Sequence, residues 1–186
     1  MNLLQKIKST FFSTDAQAAP EPASFATRSD TIYAPTSGVL VSIQEINDGV
    51  IASGLLGDGY GIIPIGNTIY APADGRVDTV TVTNHAVGIM TKTGIEVLIH
   101  VGIDTVNMEG KGFVRHVEAN QEVSAGTPLL SFDPEAIKAA GYEDMVTVVI
   151  SNPQNFRKID HVGSSNTMIA GRPLVKIGDP LLVTRS

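Results

Sequence analysis

Residues 94–104 read GIEVLIHVGID, and they show the period-two alternation of a half-buried β-strand. Their branched apolar side chains alternate with Glu96, Leu98 and His100, which therefore point to the opposite face of the strand. Gly102 follows directly, and a glycine at the end of a strand lets another backbone or a ligand approach closely. The stretch predicts an imidazole at the rim of a sheet, next to a turn.

A second histidine has a similar setting. The run VDTVTV at 77–82 alternates like a strand, and His85 follows it, so it ends a strand or begins a turn. Two such histidines are the minimum for a phosphohistidine centre, in which one attacks phosphorus and the other stabilises the phosphoryl oxygens. Neutral imidazole is nucleophilic near pH 7, but spacing alone does not distinguish this role from that of an ordinary polar residue.

The composition favours one domain of short strands. The 186 residues include 18 glycines, 10 prolines and 42% hydrophobic residues, which suits tight turns around a packed core. A net charge of −6 without a basic stripe argues against nucleic acid as a ligand. Because the sequence has no cysteine, it offers no disulfide, no thiolate zinc site and no cysteine nucleophile.

Signals for helices are few. Asp133-Pro134-Glu135 combines an N-cap residue, a proline at the first helical position and an acid in the first turn, and Gly141 is placed to end that helix. A further turn of helix is predicted near 153–159. The remainder predicts an all-β fold, an antiparallel β-sandwich or barrel with one or two short helices and a flexible N-terminal extension.

Two short sequence patterns each occur twice, which agrees with a folded domain built from related β-motifs. The tetrapeptide IYAP occurs at 32–35 and at 69–72, each time before a glycine turn and a second strand. The pattern AGxPL occurs at 125–129 and at 170–174, and it predicts a glycine turn that leads into an edge strand, where proline is tolerated.

The N-terminal segment differs in character from the body. Residues 1–12, MNLLQKIKSTFF, have apolar side chains at helical spacing and two lysines, which predicts a small amphipathic helix able to lie on an anionic membrane surface. Residues 13–30 are small, polar and proline-containing, so we interpret them as a flexible linker, and 31–186 as the folded domain. Polar residues between 9 and 15 interrupt the apolar stretch that a signal peptide needs, which argues against export.

Both histidines lie in longer stretches of sequence that match a known signature. The sequence EVLIHVGIDTV at 96–106 resembles the phosphorylation-site signature of the glucose-type EIIA family of the bacterial sugar phosphotransferase system, and TNHA at 83–86 lies at the family's distance upstream. The segments GDG at 57–59, followed by Pro64, and APADG at 71–75 are similar to the family's loop and following turn. The likeness continues through VVISN at 148–152 and extends from about Ile32 to about Val183.

The resemblance implies an antiparallel β-sandwich whose His100 carries a phosphoryl group on Nε2. It further implies that His85 stabilises the phosphorylated form, that Thr83 bonds to His85, and that the backbone near Gly102 fixes the tautomer of His100. The implied phosphoryl donor is the carrier HPr, the acceptor is the cysteine of a glucose-type EIIB domain, and no cofactor is required. The implied partner-docking rim consists of Asp48, Ile51, Asp104 and Val106.

The resemblance also implies where the protein acts. The sequence lacks the cysteine of an EIIB domain and the membrane spans of an EIIC domain, so we expect a cytoplasmic EIIA that acts in trans on a membrane permease, held near it if residues 1–12 bind the membrane. Some family members also regulate other proteins by docking when they are unphosphorylated. Thr81, Val87 and Ile51 stand where some members have phenylalanine, which predicts a flatter apolar docking surface.

Two other classes of protein are alternatives. The segment 71–77 also resembles a strand and turn of lysostaphin-type zinc peptidases, and His100 with Asp104 forms H-x-x-x-D, but the His-x-His of those enzymes is absent because His116 and His161 stand alone. His85 and His100 together could still bind a zinc ion. A lipoyl- or biotinyl-type carrier would need a lysine at a hairpin tip, and Lys92 lacks the flanking residues of such a site.

Overall fold

The computed structural model describes residues 19–186, a range that contains fifteen short strands and two short α-helices. The helices are α1 (Gly49–Ala52) and α2 (Pro134–Ala139), and single 3₁₀ turns occupy Ile43–Glu45, Thr105–Met108 and Pro153–Asn155. The strands are β1 (Thr31–Tyr33), β2 (Gly38–Ser42), β3 (Asp58–Pro64), β4 (Thr68–Tyr70), β5 (Gly75–Val80), β6 (Ala86–Thr91), β7 (Glu96–Val101), β8 (Phe113–Arg115), β9 (Glu122–Val123), β10 (Pro128–Phe132), β11 (Val146–Ile150), β12 (Lys158–His161), β13 (Met168–Ile169), β14 (Arg172–Val175) and β15 (Pro180–Arg185).

The strands form one large and two small sheets. The large sheet has nine strands in the order β13-β14-β2-β3-β11-β7-β6-β5-β9, and the small ones have the orders β1-β15-β12 and β4-β10-β8. Every strand pair is antiparallel. This confirms the prediction of an all-β antiparallel sandwich with two short helices.

The main core lies on one face of the large sheet. On β7, Val97, Ile99 and Val101 are each at most 1% exposed, and they pair across the ladder with buried branched residues of β11. Burying each such side chain contributes roughly 1.5–3 kcal/mol. The alternation predicted from the sequence is confirmed, because Glu96 and His100 lie on the opposite, half-buried side.

A smaller cluster covers part of the opposite face. Val41, Ile43, Ile46, Ile51 and Val149 pack there beneath α1 and the preceding 3₁₀ turn. Helix α1 begins at Asp48, whose carboxylate accepts hydrogen bonds from the backbone N–H groups of Val50 and Ile51 at 2.8 and 3.1 Å. The central strand β11 is therefore buried on both faces, as the burial of all five of its residues shows.

Some local expectations need correction. Helix α2 begins after its cap Asp133 as predicted, and the turn of helix predicted near 153–159 is present as the 3₁₀ turn Pro153–Asn155, whereas the sequence did not predict α1. The AGxPL segments do not feed edge strands, because β10 is the middle strand of its sheet and β14 has neighbours on both sides. Pro128 is tolerated in β10 as the first residue of the strand, where a missing N–H costs little.

The N-terminal expectations fall partly outside the described residues. The amphipathic helix predicted at 1–12 and the first part of the predicted linker lie within residues 1–18, outside the described range. Residues 19–30 contain no helix or strand but follow the surface of the body, since Ala23 N–H donates to the carbonyl of Gly126 and the ring of Phe25 packs against Tyr33. Within 19–186, no helix has the length and apolar character needed to cross a bilayer.

Candidate functional site

The two histidines meet at the ends of two neighbouring interior strands of the large sheet. His100 is the penultimate residue of β7, and His85 directly precedes β6, which pairs with β7. The backbone carbonyl of His85 accepts a hydrogen bond from Val101 N–H at 2.8 Å, which fixes it to the end of β7. The imidazole centroids are 4.8 Å apart at an interplanar angle of 80°, so the rings meet edge to face.

Two threonine hydroxyls lie against His85. Thr83 Oγ1 is 2.6 Å from Nδ1 of His85, and Thr81 Oγ1 is 3.4 Å from the same nitrogen. Asn84, between Thr83 and His85, has a φ of 57°, a left-handed conformation that asparagine tolerates better than most residues. The contact of Thr83 with His85 is the one that the family resemblance implies. The contact of Thr81 was not predicted, although the alternation at 77–82 places Thr81 near the same strand end.

Both imidazoles are neutral at pH 7. Burial, with a smaller contribution from neighbouring His100, lowers the pKa of His85 to about 4. Burial also lowers the pKa of His100, although the backbone of Gly102 and the carboxylates of Asp48 and Asp104 partly oppose this effect. A neutral imidazole has a free nitrogen lone pair, so the site offers a nucleophile next to a second uncharged ring.

The backbone of Gly102 contacts the buried side of the His100 ring. Hydrogen bonding with this backbone raises the pKa of His100, although Nδ1 makes no hydrogen bond of near-ideal distance and angle. That the backbone near Gly102 fixes the tautomer of His100 stays a prediction.

Replacement of Gly102 by alanine is expected to destabilise the site. The residue has a φ of 81°, and an added Cβ would lie 2.1 Å from Cγ2 of Thr105 and 3.0 Å from the carbonyl oxygen of Glu143. Left-handed strain costs about 1–2 kcal/mol and overpacking about 1–3 kcal/mol. We expect Gly102→Ala to lower the free energy of unfolding by about 2–5 kcal/mol, measured by urea titration.

Gly94 is the matched control for this prediction. It has nearly the same φ, 82°, but an added Cβ would meet nothing within 4 Å. Gly94→Ala should therefore lose only the strain contribution, about 1–2 kcal/mol. Equal losses for the two variants would show that Thr105 moves aside and that Gly102 is not needed for close packing.

The structure places only part of the predicted docking rim at the surface, and its role in docking stays a prediction. Val106 is 51% exposed, and Asp48 and Asp104 are close enough to His100 to raise the pKa of that ring. Ile51 is wrong as a rim residue, because it is only 2% exposed and belongs to the small cluster under α1. Its neighbour Val50 is 51% exposed and lies at the surface instead. Asp48 is a typical N-cap residue, and a short helix predicted after it at 49–52 would have indicated that Val50 and Ile51 lie on different faces.

The remaining histidines lie apart from this pair. His116 Nε2 is 2.8 Å from Ser131 Oγ, and His161 Nε2 is 2.8 Å from a carboxylate oxygen of Asp58, which agrees with their interpretation as surface or structural residues. Lys92 lies in the turn between β6 and β7. Across residues 19–186, no three or more His, Cys, Asp or Glu side chains are grouped as a metal site would require.

Comparisons with known proteins agree with this geometry. The family model described as "phosphoenolpyruvate-dependent sugar phosphotransferase system, EIIA 1" matches residues 30–156. A glucose-specific EIIA component of Halalkalibacterium halodurans is 37% identical over 89% of this chain and 95% of its own length. The solved structure of glucose permease IIA from Mycoplasma capricolum matches with a TM-score of 0.69 and 32% identity, over 82% of this chain and 94% of that one.

Longer relatives match over one part of their length. The beta-glucoside-specific EIIBCA component of Dickeya chrysanthemi is 40% identical over 82% of this chain, and the chain spans about a quarter of that relative's length, 24%. The family model covers more than half of the chain, and the Halalkalibacterium relative matches over nearly its whole length. The chain therefore belongs to the glucose-type EIIA family of the phosphoenolpyruvate-dependent sugar phosphotransferase system.

Proposed function

We propose that this phosphocarrier of sugar uptake accepts a phosphoryl group from phospho-HPr on Nε2 of His100 and donates it to the cysteine of a glucose-type EIIB domain. The observation that carries the proposal is the pair of neutral imidazoles in edge-to-face contact at the ends of β6 and β7. In each transfer, the P–N bond of one phosphohistidine breaks as the incoming nitrogen or sulfur bonds to phosphorus.

His85 has the role of an electrostatic partner in this proposal. If the Thr83 hydroxyl donates to Nδ1 of His85, the single proton of the neutral ring is on Nε2. That N–H can donate to a phosphoryl oxygen, and such donors matter most in the transition state, where charge is spread over the oxygens. Its low pKa supports a hydrogen bond rather than a positive charge as the means of stabilisation.

The proposed partners follow from the same chemistry. The sequence contains no cysteine, so an acceptor cysteine must come from outside these 186 residues. Relatives named EIIBCA components, in which the match covers about a quarter of the length, support an EIIB domain as that acceptor. The exposed valines Val50 and Val106, beside the carboxylates of Asp48 and Asp104, support a docking surface of apolar centre and acidic rim.

The proposal is tested by incubating the full chain with phosphoenolpyruvate, Enzyme I and HPr and measuring its mass. We expect a gain of one acid-labile phosphoryl group, followed by its transfer to an added EIIB domain. If the chain gains nothing while HPr becomes phosphorylated in the same tube, the proposed donor is wrong.

Zinc at His85 and His100 stays a prediction. The two neutral imidazoles fit as ligands, but a zinc site normally takes three or four, and the described part of the chain groups no three candidates. A bound ion would thus need a further ligand from elsewhere, and metal analysis of the purified protein would decide whether it binds. The peptidase alternative finds no support in the family matches.

We also propose that the protein is cytoplasmic and that residues 1–12 hold it at the membrane surface. The sequence pattern of two lysines and an apolar face supports this, while the segment lies outside the described residues. The full chain is expected to co-sediment with vesicles containing anionic lipid more strongly than a chain lacking residues 1–18. Equal sedimentation of the two chains would contradict the proposal, and neutral vesicles provide the control.

A further inference from the structure

A small basic hollow lies between residues 27–29 and the turn that joins β6 to β7. It has a volume of about 130 Å³, and its charged and threonine side chains are Thr27, Arg28, Asp74, Thr91, Lys92 and Thr93. Among the ion pairs of residues 19–186, none involves Arg28, Lys92 or Asp74. Because the protein is acidic, with a net charge of −6, two basic side chains without a carboxylate partner at one hollow need an explanation.

Hydrogen bonds hold the shape of the basic hollow. Thr93 Oγ1 donates to the carbonyl of Ser29 at 2.9 Å, which fixes the turn to the N-terminal segment, and it is 3.1 Å from Thr91 Oγ1. The backbone N–H of Arg28 donates to the hydroxyl of Tyr33 at 2.8 Å. The backbone that carries both basic side chains is therefore preorganised, and two of the threonine hydroxyls already have partners, so a ligand would be bound mainly by the two cations.

The charge and size of the basic hollow indicate an anionic ligand group. The carboxylate of Asp74 accepts a hydrogen bond from Ala125 N–H at 2.8 Å, and two cations against this one carboxylate leave a net positive charge. The volume of about 130 Å³ is below the roughly 300–1,000 Å³ of pockets that enclose a drug-sized ligand. The hollow therefore suits one anionic group whose remaining atoms stay outside the protein.

The basic hollow and the histidine pair lie at opposite ends of β7. The turn that carries Lys92 precedes Glu96, the first residue of the strand, whereas His100 is next to last. From Gly94 to His100 the chain advances about 20 Å, at roughly 3.3 Å per residue. A surface that bound the hollow would therefore leave the imidazoles facing away from it and accessible to protein partners.

We propose that the basic hollow binds the phosphate group of an anionic membrane lipid, with Arg28 and Lys92 as its two cationic contacts. A guanidinium can bind phosphate through two parallel N–H groups, and an ammonium binds it as a point charge. The choice of a lipid as the source of the phosphate rests on the proposed membrane contact of residues 1–12, which would hold the hollow close to the headgroups. Two contacts orient the protein on the membrane, whereas one contact only tethers it.

The test compares full-chain variants that differ from the wild type by one charge in co-sedimentation with phosphatidylglycerol vesicles at 0.15 M salt. Arg28→Gln and Lys92→Gln are each expected to weaken binding about fivefold, the usual effect of one basic side chain at an anionic surface. Asp74→Asn keeps an oxygen that can accept the N–H of Ala125 and removes a negative charge, so it should strengthen binding by a similar factor. The three side chains are exposed, so the variants are expected to fold.

Lys111→Gln is the matched control for these variants. Lys111 is exposed and follows Gly110, which lies against the backbone of Thr83 at the histidine end of the sheet. Charges interact through water at this salt concentration over only about 8 Å, so Lys111→Gln should bind vesicles like the wild type. Equal losses for Arg28→Gln, Lys92→Gln and Lys111→Gln would mean that only net charge matters, and would overturn the proposal.

A titration with inorganic phosphate distinguishes the source of the ligand group. If Arg28→Gln and Lys92→Gln bind vesicles like the wild type while phosphate shifts the amide resonances of Thr91 and Thr93, the ligand is a soluble phosphate and the lipid proposal is wrong. Wild-type vesicle binding in both variants without such shifts would also overturn the proposal.

The outcomes are independent of the proposed function. If the double variant Lys6→Gln/Lys8→Gln loses vesicle binding but Arg28→Gln and Lys92→Gln do not, the N-terminal contact stands and this inference is wrong. The reverse pattern would support the basic hollow and contradict the contact of residues 1–12. Uptake of phosphate from phospho-HPr should be the same in all these variants, so a failure of the phosphocarrier function is detected separately.

Discussion

His100→Gln is expected to take up no acid-labile phosphate from phospho-HPr, whereas the wild-type chain takes up one phosphoryl group. The glutamine amide fills a similar volume, but its nitrogen lone pair is delocalised into the carbonyl and does not attack phosphorus. Of the two histidines, His100 is the one whose pKa is raised by the carboxylates of Asp48 and Asp104. They bring its pKa back toward the usual value and so preserve the basicity of the ring. The measurement is intact mass after incubation with the upstream components.

The control for this variant is His116→Gln. It removes a half-buried imidazole that bonds Ser131 in a different sheet, and it should accept phosphate like the wild type. Circular dichroism and urea titration establish that both variants are folded. Phosphate on His100→Gln combined with none on His85→Gln would mean that the roles of the two histidines are reversed.

His85→Gln is expected to become phosphorylated but to pass the group on slowly. The nucleophile is intact, so a long incubation still loads His100. The hydrogen bond from His85 to the phosphoryl oxygens is lost, and removing one such donor costs about 100- to 1000-fold in rate. The decay of preloaded phosphoprotein after addition of an EIIB domain, followed by rapid quench, should lengthen by about that factor.

Transfer from His85→Gln within about threefold of the wild-type rate would contradict the role given to His85. The edge-to-face contact of the two rings would then be a packing contact only. Because the pKa of His85 is about 4 in the unphosphorylated protein, the initial rate of phosphoryl uptake by the wild type is expected to change little between pH 6 and 8 through this residue. A steep change that disappears in His85→Gln would indicate a charged His85 instead.

The sequence predicted the parts of the site that follow from strand periodicity. The alternation at 94–104 placed His100 at a strand end and facing away from the core, and the alternating run at 77–82 placed His85 at a strand end or in the following turn. The contact of Thr83 with His85 came from the family resemblance and is present in the structure. These features follow from the local alternation of side chains or from one long stretch of sequence that matches the family.

The features that the sequence did not predict depend on contacts between distant segments. The family resemblance implied a place on the docking rim for Ile51, but helix α1 directs this side chain into the small cluster. A helix of four residues is too short for sequence periodicity to show which side chains are buried. The basic hollow was not predicted, because Arg28 and Lys92 are brought together only by the packing of residues 27–29 against the turn between β6 and β7. Such a contact cannot be derived from either segment alone.

The alternation of β7 has a consequence for how this protein can evolve. The same six residues supply the interior with Val97, Ile99 and Val101 and the reactive side with His100. An inserted or deleted residue upstream within the strand would exchange these two sets, sending the imidazole inward and an aliphatic chain outward. The length of this one strand is therefore constrained twice, by the packing of the core and by the position of the imidazole.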